Sequence, residues 1–89
     1  MTIARRAVVR GRVQGVGFRM ACEQQADATG AHGWVRNEPD GSVAVVVEGE
    51  PEVVDRMIDW LHEGPRAAHV ESVEVTEVEP SRPGGFSVR

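Results

Sequence analysis

Lysine and tyrosine are absent from this chain, and cysteine occurs once. With Cys22 alone there is no internal disulfide, so 89 residues must be held by packed regular elements and not by covalent staples. The four aromatic residues, Phe18, Trp34, Trp60 and Phe86, are too few for a sheet that stacks single-stranded nucleic acid, and a net charge of −4 opposes a polyanion. Nucleic acid is therefore not an expected partner. The longest apolar run, Val43 to Val47, is far too short to cross a bilayer, and the N-terminal residues lack the continuous apolar stretch of a secretion signal. A cytoplasmic protein without a membrane partner is expected. His32, His62 and His69 are scattered and show no metal-ligand spacing, and no Ser–His–acid arrangement is visible. No metal or cofactor is expected.

What is present reads as one domain over residues 1–89, with 40% hydrophobic residues. Every base is arginine, and the arginines are unevenly placed. Residues 1–36 hold six of them against Glu23 and Asp27, while residues 37–79 hold Arg56 and Arg66 against twelve acids. An arginine-rich first third suits an anion. Most of these arginines taken singly read as solvated strand-edge residues, and the carboxylates of the acidic half read as solvated faces.

Hydrophobic periodicity alternates between 2 and 3.6 along the chain. Ala4 to Val13 reads as a strand, Gln14–Gly17 as a turn, and Phe18 to Thr29 as a helix stopped by Gly30. His32 to Asn37 is a second strand, joined through the Glu38–Gly41 turn to a third at Ser42 to Glu48, with Val43, Val45 and Val47 on one face. Pro51 opens a second helix that runs to about His62 on a stripe of Val54, Met57, Ile58 and Leu61. His69 to Val78 forms a fourth strand, in which Val70 and Val78 break the parity of Val73 and Val75, so a bulge or twist is expected there. Phe86 to Arg89 allows a short fifth strand. The order β-α-β-β-α-β is the ferredoxin-like plan, an α+β sandwich of a mostly antiparallel four- to five-stranded sheet with two helices on one face.

The segment Gly11-Arg12-Val13-Gln14-Gly15-Val16-Gly17-Phe18-Arg19 ends a strand, turns on glycines and starts a helix. Such a turn lets backbone amides converge at the positive end of the helix, which suits a phosphate. Arg19, in the first helical turn, has a planar fork matched to two phosphate oxygens. A plain tight connection explains the glycines as well, and Arg19 read alone fits a helix-surface charge. The segment lacks the Gly-Lys-Ser/Thr ending of a P-loop and the glycine spacing of a dinucleotide site.

Val9-x-Gly11-x-Val13-Gln14-Gly15-Val16-Gly17-Phe18-Arg19 resembles the first signature of the acylphosphatase family. Gly33-Trp34-Val35-Arg36-Asn37, followed by Gly41-x-Val43 and Gly49, resembles the second. Gly64-Pro65 with Ala68 and Val70, and Gly85 to Arg89, agree more loosely. The resemblance implies a five-stranded sheet with two helices on one face. It further implies hydrolysis of small-molecule acyl phosphates, with Arg19 binding the phosphate and Asn37 orienting the attacking water. Inorganic phosphate would be product and inhibitor, and the chain a monomer. Gln14, Gly15, Val16, Gly17 and Phe18 would join Arg19 in binding substrate. Chemically this division of labour is sufficient, because an acyl phosphate already carries a good leaving group and needs positioning and charge stabilisation most.

Several residues keep a plainer reading. Asn37 beside a turn also fits a turn former, and Gln14 fits a loop-stabilising role as well as a substrate contact. Trp34 reads as core, Arg36 as structural or solvent-facing, and Cys22 as a buried small residue. Two departures from the family pattern stand out: Thr29-Gly30-Ala31-His32 is less apolar than expected, leaving the end of the first helix less well packed, and Ala21 carries no hydroxyl. A non-catalytic binding module of the same fold is the competing class. The same unit also resembles the N-terminal domain of larger carbamoyl-transfer maturation proteins; that reading is set aside because the chain stops at Arg89.

Overall fold

The computed structural model describes residues 1–89. Its elements are β1 (Ile3–Arg12), α1 (Phe18–Thr29), β2 (His32–Asn37), β3 (Val43–Gly49), α2 (Pro51–Glu63), β4 (His69–Val78) and β5 (Phe86–Val88). The strands form one sheet in the order β4-β1-β3-β2-β5, with β2 and β5 parallel and every other pair antiparallel. This is the ferredoxin-like α+β fold, and both helices span the residues that periodicity assigns to them to within one position. No helix is long and apolar enough to cross a membrane.

Alternation decides which side chains meet the helices. Ala7, Val9, Val35, Val43, Val45 and Val47 are fully buried on one face of the sheet. Phe18, Cys22 and Ala26 of α1 and Val54, Met57 and Leu61 of α2 close over them. Burying apolar surface at roughly 25 cal/mol per Å² makes this layer the main favourable contribution to folding. Phe18 also meets the Trp60 ring at 5.5 Å between centroids. The end of α1 is better closed than its sequence suggests. The Gly30 and Ala31 amides both donate to the Ala26 carbonyl, the Thr29 hydroxyl donates to the Gln25 carbonyl, and Ala31 is buried.

The expected irregularity in β4 is a bulge. Arg10 pairs with Ser72 but Gly11 pairs with Val70, so Glu71 is skipped. That extra residue returns Val70 to the helix side, where it packs against the core.

Two expectations are corrected. Trp34 is not core. Gly33, Val35 and Asn37 take the helix side of β2, so Trp34 points to the open face, half-buried beneath guanidinium groups of Arg6, Arg36 and Arg89, at 6.0, 4.9 and 4.7 Å from its ring. The acidic half is not uniformly solvated either. Glu48 is 2% exposed, because the segment joining β4 to β5 covers it.

Candidate active site

The loop from Val13 to Gly17 leaves the end of β1 in the sheet centre and delivers the chain into α1. Gly15 and Gly17 both take left-handed backbone, φ 73° and 76°. A Cβ at either would meet nothing within 4 Å, so it is conformation and not space that asks for glycine here. The main-chain N–H groups from Gly15 to Met20 have no acceptor within the protein; the first amide after them, Ala21, donates to the Gly17 carbonyl at 3.1 Å. Gly17 caps α1 with no side-chain bond, and no acid lies in the first helical turn, so the positive helix end is uncompensated.

Gln14 ties this loop to the sheet. Its Nε2 donates to the carbonyls of Glu38 and Ser42 at 2.8 and 2.9 Å, which fixes the loop against the β2–β3 turn. The turn is itself closed by the Glu38 amide on the Ser42 carbonyl and by Asp40, whose carboxylate accepts from the Ser42 hydroxyl and amide. The bond from the Ser42 hydroxyl, and then that from its amide, holds the Asp40 carboxyl below the usual carboxylate range.

Arg19 projects from the first turn of α1. Its Nη1 donates to the main-chain oxygen of Arg89 at 2.9 Å, and the Arg89 amide in turn donates to the Val35 carbonyl at 2.8 Å. One N–H of the guanidinium is thereby anchored to the sheet edge, and four stay free. Asn37 ends β2 on the helix side. Its side-chain amide bonds to nothing in the protein, and the turn after it is closed by other groups.

Gly15, Gly17, Phe18, Arg19 and Asn37 meet around a cleft of about 110 Å³, with Val13 and Met20 completing its wall. Arg19 is the only charged residue lining it, and no carboxylate, imidazole or thiol is available there to hold a cation. The Phe18 ring is buried against Trp60, and its amide has no acceptor in the protein. Val16 packs on the core beside the cleft, and Gln14 braces it from the turn side. Burial pushes the Cys22 thiol up to about 12, so it offers no thiolate at neutral pH. A larger cleft, about 370 Å³, opens at the other end of the sheet beside His32, Glu48 and Arg82, but it gathers none of these groups. Two features lay outside the sequence reading. Met20, 60% exposed on the cleft wall, was signalled only by standing next to Arg19. The Arg89 oxygen, seventy residues from Arg19, left no signal at all.

A cleft lined by residues with unbonded amides, one anchored arginine and one free carboxamide is suited to a tetrahedral oxyanion with a water beside it. The family model described as Acylphosphatase matches residues 5–88. An acylphosphatase of Thermococcus kodakarensis is 52% identical over 80 residues, 90% of this chain and 88% of its own length. The structure of an acylphosphatase from Coxiella burnetii superimposes with a TM-score of 0.95 at 34% identity, covering 99% of this chain and 93% of that one. The crystal structure of full-length HypF in the phosphate- and nucleotide-bound form matches with a TM-score of 0.93 at 29% identity, covering all of this chain and 12% of that one. Matched by the family model across nearly its whole length, and by a close relative over nine-tenths of it, the chain belongs to the acylphosphatase family.

Proposed function

We propose that this chain hydrolyses small-molecule acyl phosphates to a carboxylate and inorganic phosphate without a metal ion. Amides of the Gly15–Met20 segment and the free N–H groups of Arg19 bind the phosphoryl oxygens. Asn37 holds the attacking water through its carbonyl oxygen. Water adds to phosphorus as the P–O bond to the acyl oxygen breaks. The carboxylate leaves with the bonding pair, and one proton of the water is released to solvent or to phosphate. Family membership supports the reaction class, an acid-anhydride hydrolysis. The observation that carries the residue roles is the meeting of unbonded amides, Arg19 and an unbonded Asn37 around one small cleft.

The donor set favours a metal-free reaction, because the cleft is lined by amides and a cation and not by oxygen or sulfur anions. Turnover is expected to persist in excess EDTA; loss on chelation, restored by Mg²⁺ or Zn²⁺, overturns this part. We take the working unit to be a monomer in the cytoplasm. Phosphate release from acetyl phosphate, carbamoyl phosphate, 1,3-bisphosphoglycerate and an aryl acyl phosphate tests the reaction. The likeness to a small part of HypF favours a second reading, a module that binds phosphate within a larger assembly. Phosphate binding without hydrolysis of any of these substrates would select it.

A further inference from the structure

The segment from Glu79 to Gly85 leaves β4 at one edge of the sheet and must reach β5 at the other. Four strand spacings of about 4.8 Å make that crossing roughly 19 Å, and the eight steps from Val78 to Phe86 reach at most about 28 Å. The strap has little slack, so whatever grips it determines where β5 begins.

Glu48 grips it. Ala4, Glu48 and His32 are direct cross-strand partners, one on each of the three central strands, and they lie in the row that the strap crosses. Glu48 Oε1 accepts from the Ser81 and Arg82 amides, both at 2.9 Å, and Oε2 accepts from the Ser81 hydroxyl at 2.9 Å. His32 Nδ1 donates to the Pro83 carbonyl at 2.8 Å. Arg82 takes φ 53°, a left-handed conformation unusual for a side chain other than glycine, and is held there by the bond to its amide. Beyond the grip, Gly33 donates to the Gly85 carbonyl, three residues of β5 pair with β2, and Arg89 presents its oxygen to Arg19. A three-residue edge strand has few bonds of its own, so its placement depends on the strap.

We infer that Glu48 is a positioning residue for Arg19, acting from the far end of the sheet through the Ser81–Arg82 strap and β5. The inference rests on the reading of Arg19 as the phosphate ligand. With the strap clamped, the Arg89 oxygen holds one guanidinium N–H and pre-orients the other four, so less ordering is left for anion binding.

The test compares Glu48→Ala, Glu48→Gln and Ser81→Pro with the wild-type chain, at a temperature well below each protein's melting point. Glutamine keeps the geometry, since its carbonyl oxygen takes both amides and its nitrogen donates to the Ser81 hydroxyl. Inorganic phosphate is titrated by calorimetry, and the Arg19 Nε–Hε resonance is followed by NMR. Glu48→Ala is expected to weaken phosphate binding roughly tenfold, the scale of one lost hydrogen bond to a charged group. KM should rise in parallel while kcat changes less than about threefold, and the Arg19 resonance should move toward its unfolded position. Glu48→Gln is expected to match the wild type. In an Arg19→Ala background Glu48→Ala should have no further effect on phosphate. Ser81→Pro strips two of the three bonds from an exposed residue and decides the matter if Glu48→Ala does not fold. Unchanged phosphate affinity and an unchanged Arg19 resonance in the folded variants would overturn the inference. The resonance reports on Arg19 even if the wild-type chain hydrolyses no acyl phosphate, so a failure of the proposed function stays distinct.

Discussion

At Arg19 one side chain has a partner in its own protein, the Arg89 oxygen, and a proposed one in the substrate. Its bond to Arg89 makes it a fixed rather than a searching cation. Arg19→Ala is expected to fold but to lose roughly 10³-fold in kcat/KM, the usual scale for an arginine on a transferring phosphoryl group; activity within a few-fold of wild type would remove the clamp. Asn37 makes the opposite case. Its side chain bonds to nothing in the protein, so truncating it breaks no bond of the turn. If the side chain holds the nucleophile and not the bound anion, as proposed, Asn37→Ala should lower kcat about 10²-fold or more with phosphate inhibition nearly unchanged. If it were a turn former, the urea midpoint would fall by the equivalent of about 1 kcal/mol while kcat held. The places of both residues were legible in the sequence, a glycine turn before Arg19 and a strand end at Asn37, and the structure brings the two to one cleft. Glu48 and Trp34 were not. Alternation tells which side of the sheet a residue takes but not what lies across that side. Glu48 is covered by residues 33 and 34 positions away, and Trp34 by arginines drawn from both ends of the chain.

Among the elements, the site joins pieces that the sequence displays separately. Strands, helices and the β4 bulge follow from periodicities that repeat over a few residues. The joints between them do not. Gln14 is the plainest example: next to the glycine loop it reads equally as a ligand and as a brace, and only the folded chain places its nitrogen between two carbonyls of the β2–β3 turn. Gln14→Ala breaks two bonds at once and leaves both carbonyls without that donor. It is expected to cost about 1–2 kcal/mol of stability, read as a lower urea midpoint at unchanged slope. It should also raise KM, since the amide loop is no longer tied to the strand end that carries Asn37. A variant as stable and as active as the wild type would show that the loop keeps its shape from Gly15 and Gly17 alone.

For the molecule as a whole, a thin core and a site built from backbone make ligand binding and stability one measurement. The amides proposed to hold phosphate belong to the β1–α1 loop and the first turn of α1, and Arg19 spans α1 and the sheet edge through Arg89, so an anion that bridges them would tie together parts that must separate on unfolding. A ligand that binds only the folded state stabilises it by RT ln(1 + [L]/Kd), about 1.4 kcal/mol at ten times Kd. For a domain of this size that corresponds to a rise in melting temperature of roughly 6–11 °C. Inorganic phosphate is therefore expected to raise the melting temperature of the wild-type chain in a saturable way. Chloride at equal ionic strength controls for general screening of the charges. The same titration on Arg19→Ala should shift little, and on Asn37→Ala it should shift as in the wild type. That pattern separates binding from turnover in one experiment, since the two variants are both expected to be poor catalysts. Equal shifts in the wild type and Arg19→Ala would mean that phosphate is held by the loop amides without the arginine.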